Sequence, residues 1–149
     1  VRIGALRTGL SRRDREQIED ALIRYARAID DGTEADLLDI VTEDVVLEGP
    51  LSGRHVGRGE VGAWLRSVPD RPPGQDRHIV TNIAVSGTRA EASADAYFVH
   101  LRTEWPADGS RPGTRLFLAG RYECSLRRVR GRWLISRRTA AIDTGAEVT

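Results

Sequence analysis

Three histidines, His55, His78 and His100, are the side chains best suited to take up and release a proton near neutral pH. Their settings differ. His55 lies in the Gly-rich run "GPLSGRHVGRG", which reads as a turn or short hairpin, so it is most simply a surface residue. His78 opens "HIVTNIAVS", where strict alternation puts His78, Val80, Asn82 and Ala84 on one strand face and Ile79, Thr81, Ile83 and Val85 on the other. The face with His78 and Asn82 is the more polar one; it either meets solvent or lines a wet cavity. His100 shares its face with Ala94, Ala96 and Phe98, which makes it either a satisfied core residue or a pocket residue.

Two further kinds of polar side chain stand on the first predicted helix, a phenol and a pair of carboxylates. Tyr25 lies on the apolar stripe of a helix formed by Ile18, Leu22 and Ile29, where packing is its simplest role. The stretch "RYARAIDDG" places Asp30 and Asp31 at the end of that helix, the pole at which acids are unfavourable. On a helical wheel Asp30 falls at the edge of the stripe, facing solvent or a cavity mouth, and local physics favours an ordinary turn. Asp31, beside Gly32, reads as an exposed and dispensable turn former.

Other chemistries are excluded or unsupported. All 23 basic residues are Arg, so no lysine exists to form a Schiff base. Cys124 is the single cysteine, which rules out an intramolecular disulfide and any multi-cysteine metal site, and its apolar strand setting marks a small buried hydrophobe. There is no Gly-rich nucleotide loop, serine elbow or His-x-x-x-His pair, so neither metal nor organic cofactor is expected. A net charge of +1, from 23 basic and 22 acidic residues, gives no broad field for nucleic acid. The Arg-rich cluster around Arg130-Gly131 reads as a solvated hairpin end. With no long apolar run and no signal-peptide core, a cytoplasmic protein without membrane contact is expected.

The elements that must position these side chains follow from periodicity. Ser11 and Asp14 resemble a capping box before a helix over about 12–30; Thr33, with Glu34 and Asp36, starts a short second helix; Val61, Trp64 and Leu65 mark a third. "DVVLEG" reads as a strand, and the pattern then changes to four β segments at 77–86, 89–105, 114–129 and 132–143. Helices followed by long antiparallel strands predict an α+β domain, about three N-terminal helices packed on a strongly curved, mostly antiparallel sheet that encloses a pocket. The absence of Met, even at position 1, leads to the expectation that the numbering starts after the true start. Residues 1–10 are then a loosely held lead-in to a single domain over 11–149.

Taken together, "IEDALIRYARAIDDGTEADLLDIVTEDVVLE", the loop ending in "RHIVTN", and "GRYECSLRRVRGRWLISRRTAAID" resemble the SnoaL-like branch of the nuclear transport factor 2-like superfamily. The resemblance runs from about Arg15 to Asp143 and implies a cone-shaped α+β barrel. It specifies the fold far better than the reaction. Its nearest site pattern is that of the scytalone and bile-acid dehydratases, which implies Tyr25, Asp30 and His78 as the catalytic set. His100 or Phe98 is implied as a further inward residue and Arg138 as an assisting donor; Asn82, on the polar strand face with His78, and Trp64, on the third helix, are candidate substrate-binding residues beside them. The bile-acid enzymes carry an Asp where this chain has His100. Many SnoaL-like sequences also read Gly-Arg-Tyr-x-Asp where this one has Gly120-Arg121-Tyr122-Glu123-Cys124.

What the resemblance implies is a cofactor-independent enzyme. Asp30 would orient His78, His78 would take a proton from carbon beside a carbonyl, and Tyr25, with Arg138 or His100, would hold the oxygen. Dehydration, double-bond migration and aldol-type cyclisation share that step. An Arg-only, Ala- and Gly-rich composition points to an actinobacterial-type source, where such proteins tailor polyketides for antibiotic biosynthesis, and the outer sheet face of the fold commonly forms a homodimer. Two other readings stand beside it: a noncatalytic binding module or structural subunit, and an epoxide-hydrolase-type cyclase using Asp95, Arg121 and Asp143.

Overall fold

The computed structural model describes residues 9–69, 72 and 74–145. Helix α1 spans Arg12–Asp31, and its start is the expected capping box. The Asp14 amide donates to Ser11 Oγ at 3.1 Å, and the Ser11 amide donates back to Asp14 Oδ2 at 3.0 Å. Thr33 and Asp36 cap α2 (Glu34–Leu38) in the same way. Helix α3 covers Gly57–Ser67 and buries Val61.

Six strands follow the expected order, as β1 (Val41–Gly49), β2 (Gly53–Val56), β3 (Asp76–Gly87), β4 (Glu91–Glu104), β5 (Gly113–Val129) and β6 (Arg132–Gly145). They form one open mixed sheet in the order β2-β1-β6-β5-β4-β3. Every pairing is antiparallel except β1 with β6. Arg130 and Gly131, with φ of 50° and 81°, make the two-residue turn that joins β5 to β6, a geometry that suits the right-handed twist of the strands. The three helices lie against this sheet in the α+β cone that the sequence predicts.

One core holds the layers together. Ile18 and Leu22 of α1, Leu37 of α2, Val45 and Leu47 of β1, and Ile135 of β6 are almost wholly buried. Each such side chain is worth roughly 1.5–3 kcal/mol of burial. On β4 the inward residues are Ala92, Ala94, Ala96, Phe98 and His100, a strict alternation in which small side chains give way to rings toward one end of the sheet. Packing fills the alanine end and leaves the ring end hollow.

The alternation predicted for β3 breaks. Its ladder with β4 shifts register between Thr81 and Ala84, and Asn82 takes φ 52°, a left-handed value that Asn tolerates better than most residues. Asp76, His78 and Val80 therefore face inward before the bulge, and Ile83 and Val85 face inward after it. Asn82 is exposed.

Residues 1–8 of the expected lead-in lie outside the described residues. Gly9 donates its amide to Gly87 O at 3.0 Å and Leu10 is buried, so the chain is already fixed before α1 begins. Among the described residues no helix is long and apolar enough to cross a membrane.

Asp14 does more than cap. Its Oδ1 also accepts from Trp133 Nε1 at 3.0 Å and Arg128 at 3.2 Å, tying α1 to the β5–β6 hairpin. The Trp133 and Ser11 hydrogen bonds hold its pKa down at about 2, below the ordinary 3.8. A depressed carboxylate pKa stabilises the fold above the unfolded value and loses that contribution as pH falls through the folded one. Asp14→Asn should lower the urea midpoint at pH 7, and the gap to wild type should narrow between about pH 3.8 and pH 2. A gap that stays constant across that interval would show that Asp14's charge contributes nothing.

Candidate active site

The hollow end of the cone is a cavity of about 620 Å³, within the ordinary size for a small-molecule site. Its walls come from the C-terminal end of α1, from α3, from the β1–β2 turn and from the inner faces of β3 to β6.

At its centre the last turn of α1 meets the first residues of β3. Asp30 grips His78 twice: Oδ2 accepts from the His78 backbone amide at 2.7 Å, and Oδ1 lies 2.5 Å from Nδ1. A carboxylate can only accept, so Nδ1 carries a proton, and in the neutral ring Nε2 is the nitrogen with the lone pair. Nε2 has no partner among the described residues. The Asp30 and His78 side chains are 6% and 13% exposed, which places the pair at the cavity wall rather than in bulk solvent. An ordinary turn acid, the reading that local physics favours, would lie open to water.

Asp31, read as dispensable, takes a separate task. It accepts from the Gly74 amide at 3.1 Å and from Arg77 at 2.8 Å, and these bonds lower its pKa. The two acids at the unfavourable helix pole thus fasten the start of β3 and the turn before it at four backbone and side-chain donors. Their compensation comes from those donors.

A second imidazole backs the first. His100 stacks on His78 with ring centroids 4.0 Å apart, and its Nε2 lies 2.7 Å from Asp76 Oδ1, which also accepts from Arg102 at 2.9 Å. Burial, with the neighbouring His78, pushes the His100 pKa down to about 4, so the ring is neutral near pH 7. Phe98 also faces the cavity, stacked on Tyr122 at 4.3 Å. Both residues of the His100/Phe98 alternative are therefore inward.

Tyr25 and Arg138 occupy another wall. Arg138, 5% exposed, donates to the Tyr25 hydroxyl and, at 3.0 Å, to Glu48 O. Burial raises the Tyr25 pKa despite the adjacent guanidinium, so the phenol keeps its proton. Trp64 of α3 lines the mouth, stacked on His55 at 5.5 Å, which makes His55 half-buried rather than a plain surface residue.

Seven of the eight expected site residues, Tyr25, Trp64, Asp30, His78, Phe98, His100 and Arg138, line this one cavity. Asn82 does not, because the β3 bulge turns it outward. Arg121 and Asp143, 3.5 Å apart, are exposed away from the cavity, as is Asp95 opposite Glu123, so they form no relay within it. Cys124 is buried, its thiol pushed up to about 12 chiefly by burial. Asp76, Arg102, Phe117 and Tyr122 are lining residues that the sequence reading missed. Asp76 stands two residues before His78 on the same strand face, a spacing that marks it. Phe117 escapes because β5 shifts register opposite the His100–Leu101 step, placing an extra residue at the wall.

The open sheet and the three helices packed on it have the nuclear transport factor 2-like fold. The chain belongs to the SnoaL-like domain family, whose pattern matches residues 11–139. No curated protein matches it. Among solved structures, a cystatin-like-fold protein of Nostoc punctiforme is 18% identical, with 95% of this chain and 100% of that one covered at a TM-score of 0.79. A candidate scytalone dehydratase from Novosphingobium aromaticivorans is 18% identical over 91% of this chain and 88% of its own, TM-score 0.75. A hexachlorocyclohexane dehydrochlorinase from Novosphingobium barchaimii is 17% identical over 90% and 89%, TM-score 0.72. These likenesses establish the fold.

Proposed function

We propose that this chain is a cofactor-independent acid–base enzyme, a dehydratase, cyclase or isomerase, acting on a small carbonyl-bearing natural-product intermediate of polyketide type. The observation that carries the reading is the double grip of Asp30 on His78 beside a cavity of about 620 Å³. Two neighbours of the same fold bear the names of eliminating enzymes, a reaction type that such a pair can perform.

In this mechanism neutral His78 takes a proton at Nε2 from carbon next to the substrate carbonyl, and Asp30 stabilises the imidazolium that forms. The electron pair moves onto the carbonyl oxygen. Tyr25 O–H, polarised by Arg138, meets that charge; donors of this kind each contribute about 3 kcal/mol to the barrier. The imidazolium then gives its proton to a leaving hydroxyl in a dehydration, to another carbon in an isomerisation, or to the oxygen of a second carbonyl in a ring closure. Every proton in the scheme starts and ends on substrate or His78, so the side chains present suffice.

The shared first step can be measured without the natural substrate. Wild-type protein should accelerate exchange of the α-hydrogens of 2-tetralone in deuterium oxide, followed by proton NMR, and His78→Ala should return the rate to background. Equal acceleration by both proteins would remove His78 from proton transfer.

A further inference from the structure

Two carboxylate–imidazole pairs share this cavity, and they are built in opposite senses. Asp30 holds Nδ1 of His78, whereas Asp76 Oδ1 lies 2.7 Å from Nε2 of His100. A carboxylate accepts, so His100 carries a proton on Nε2, and a second proton would have to sit on Nδ1. That nitrogen is buried with no partner among the described residues. An N–H placed there would have no acceptor, which disfavours the charged ring.

Asp76 pulls the other way. The His100 and Asp76 side chains are 6% and 7% exposed, and a negative charge against a buried imidazole favours imidazolium. Arg102 opposes that pull. It stands two residues beyond His100 on β4, hence on the same strand face, and donates from Nε to the same Asp76 oxygen at 2.9 Å. Its guanidinium carbon lies 3.8 Å from the centre of the Phe117 ring, which fixes the cation beside the carboxylate it neutralises. The other groups facing His100 come from every side of the cavity. His78 of β3 stacks on it at 4.0 Å with Asp30 of α1 behind, and Phe117 of β5 meets it edge-on at 5.1 Å. Arg115, 5.6 Å from the Phe117 ring, is paired with Glu104 at 2.8 Å, and Arg138 and Tyr25 hold each other on another wall. Burial first, then His78, then Arg102 hold the His100 pKa down at about 4 against the upward pull of Asp76.

We infer that Arg102 is a positioning residue for proton transfer: paired with Asp76, it keeps the His100 ring uncharged, so that the stacked imidazoles hold one added proton and His78 carries it. The inference rests on the acid–base reading of the same cavity. When His78 takes the proton from carbon, the C–H bond breaks, the electron pair passes to the carbonyl oxygen, and an imidazolium forms with its ring centre 4.0 Å from that of His100. A charged His100 would repel it; an uncharged ring leaves it room to form.

Imidazole nitrogen-15 NMR reads the two rings separately. In the wild type His100 should show the Nε2–H tautomer at pH 7 and take its second proton only near pH 4. Arg102→Gln should move that titration to higher pH, by about one pH unit or more. In the same variant the ratio of 2-tetralone exchange at about pH 5 to that at about pH 8 should fall about twofold or more. Arg102→Lys, which keeps the charge and gives up the planar stack on Phe117, should bring both readings back toward wild type. An imidazolium at wild-type His100 at pH 7, an unmoved titration in Arg102→Gln, an exchange loss equal at both pH values, or a lysine variant that behaves like the glutamine one would each overturn the inference. If Arg102→Gln does not fold, the wild-type ring state and the lysine variant decide: His100 uncharged at pH 7 in both supports it, and charged in either overturns it. Wild type that exchanges no tetralone would sink the acid–base reading, while the titrations still decide whether Arg102 sets the charge on His100. Exchange by wild type with an unmoved His100 titration would sink this inference and leave the acid–base reading standing.

Discussion

Asp30→Asn is expected to lower turnover by about a hundredfold to ten-thousandfold while leaving the fold almost unchanged. The asymmetry comes from the two bonds the carboxylate makes. An asparagine carbonyl can still accept from the His78 backbone amide, now made at 2.7 Å, so the joint between α1 and β3 survives. Its amide nitrogen cannot accept from Nδ1–H and would instead donate to that nitrogen. The imidazole must then carry its proton on Nε2, where the reaction needs a lone pair. The measurement is kcat with a ring-ketone substrate beside thermal denaturation of the same preparation. Turnover within threefold of wild type would refute the orienting role, and a large fall in thermal midpoint would make Asp30 chiefly a structural joint.

Gly120→Ala should destabilise the protein by about 1–3 kcal/mol. Gly120 sits in β5 opposite Phe98, and a Cβ built there would stand 2.1 Å from Ala141 O and 2.9 Å from Phe98 Cε1. The first contact is with backbone in a paired strand and cannot yield cheaply; the second pushes a ring that forms a cavity wall. Gly59, in α3, has open space where its Cβ would go, so Gly59→Ala should be neutral or stabilising. Urea midpoints at unchanged m-value compare the two directly. Equal midpoints for both variants would mean that β5 and β6 can part locally without cost, and the wall argument would fail.

Local pattern carried most of the fold. The capping residues Ser11 and Thr33, the stripe of Ile18 and Leu22, and the alternation of β4 are short-range signals that tertiary packing did not override. The site was less legible from the residues alone. Asp30 and His78 lie 48 positions apart in sequence, and no periodicity expresses a contact of that span. Family resemblance joined them. Asn82 was misplaced because a bulge changes the parity of a strand, and one left-handed residue is invisible to an alternation count. Asp31 was undervalued because a turn acid and a tether have the same sequence.

The grip of Asp30 on the backbone of His78 has a consequence for inheritance. A main-chain amide is present whatever side chain stands at position 78, so a descendant that lost the imidazole would still be under selection to keep the acid at the end of its first helix. The acid at the end of α1 therefore serves the joint whatever ring stands opposite it.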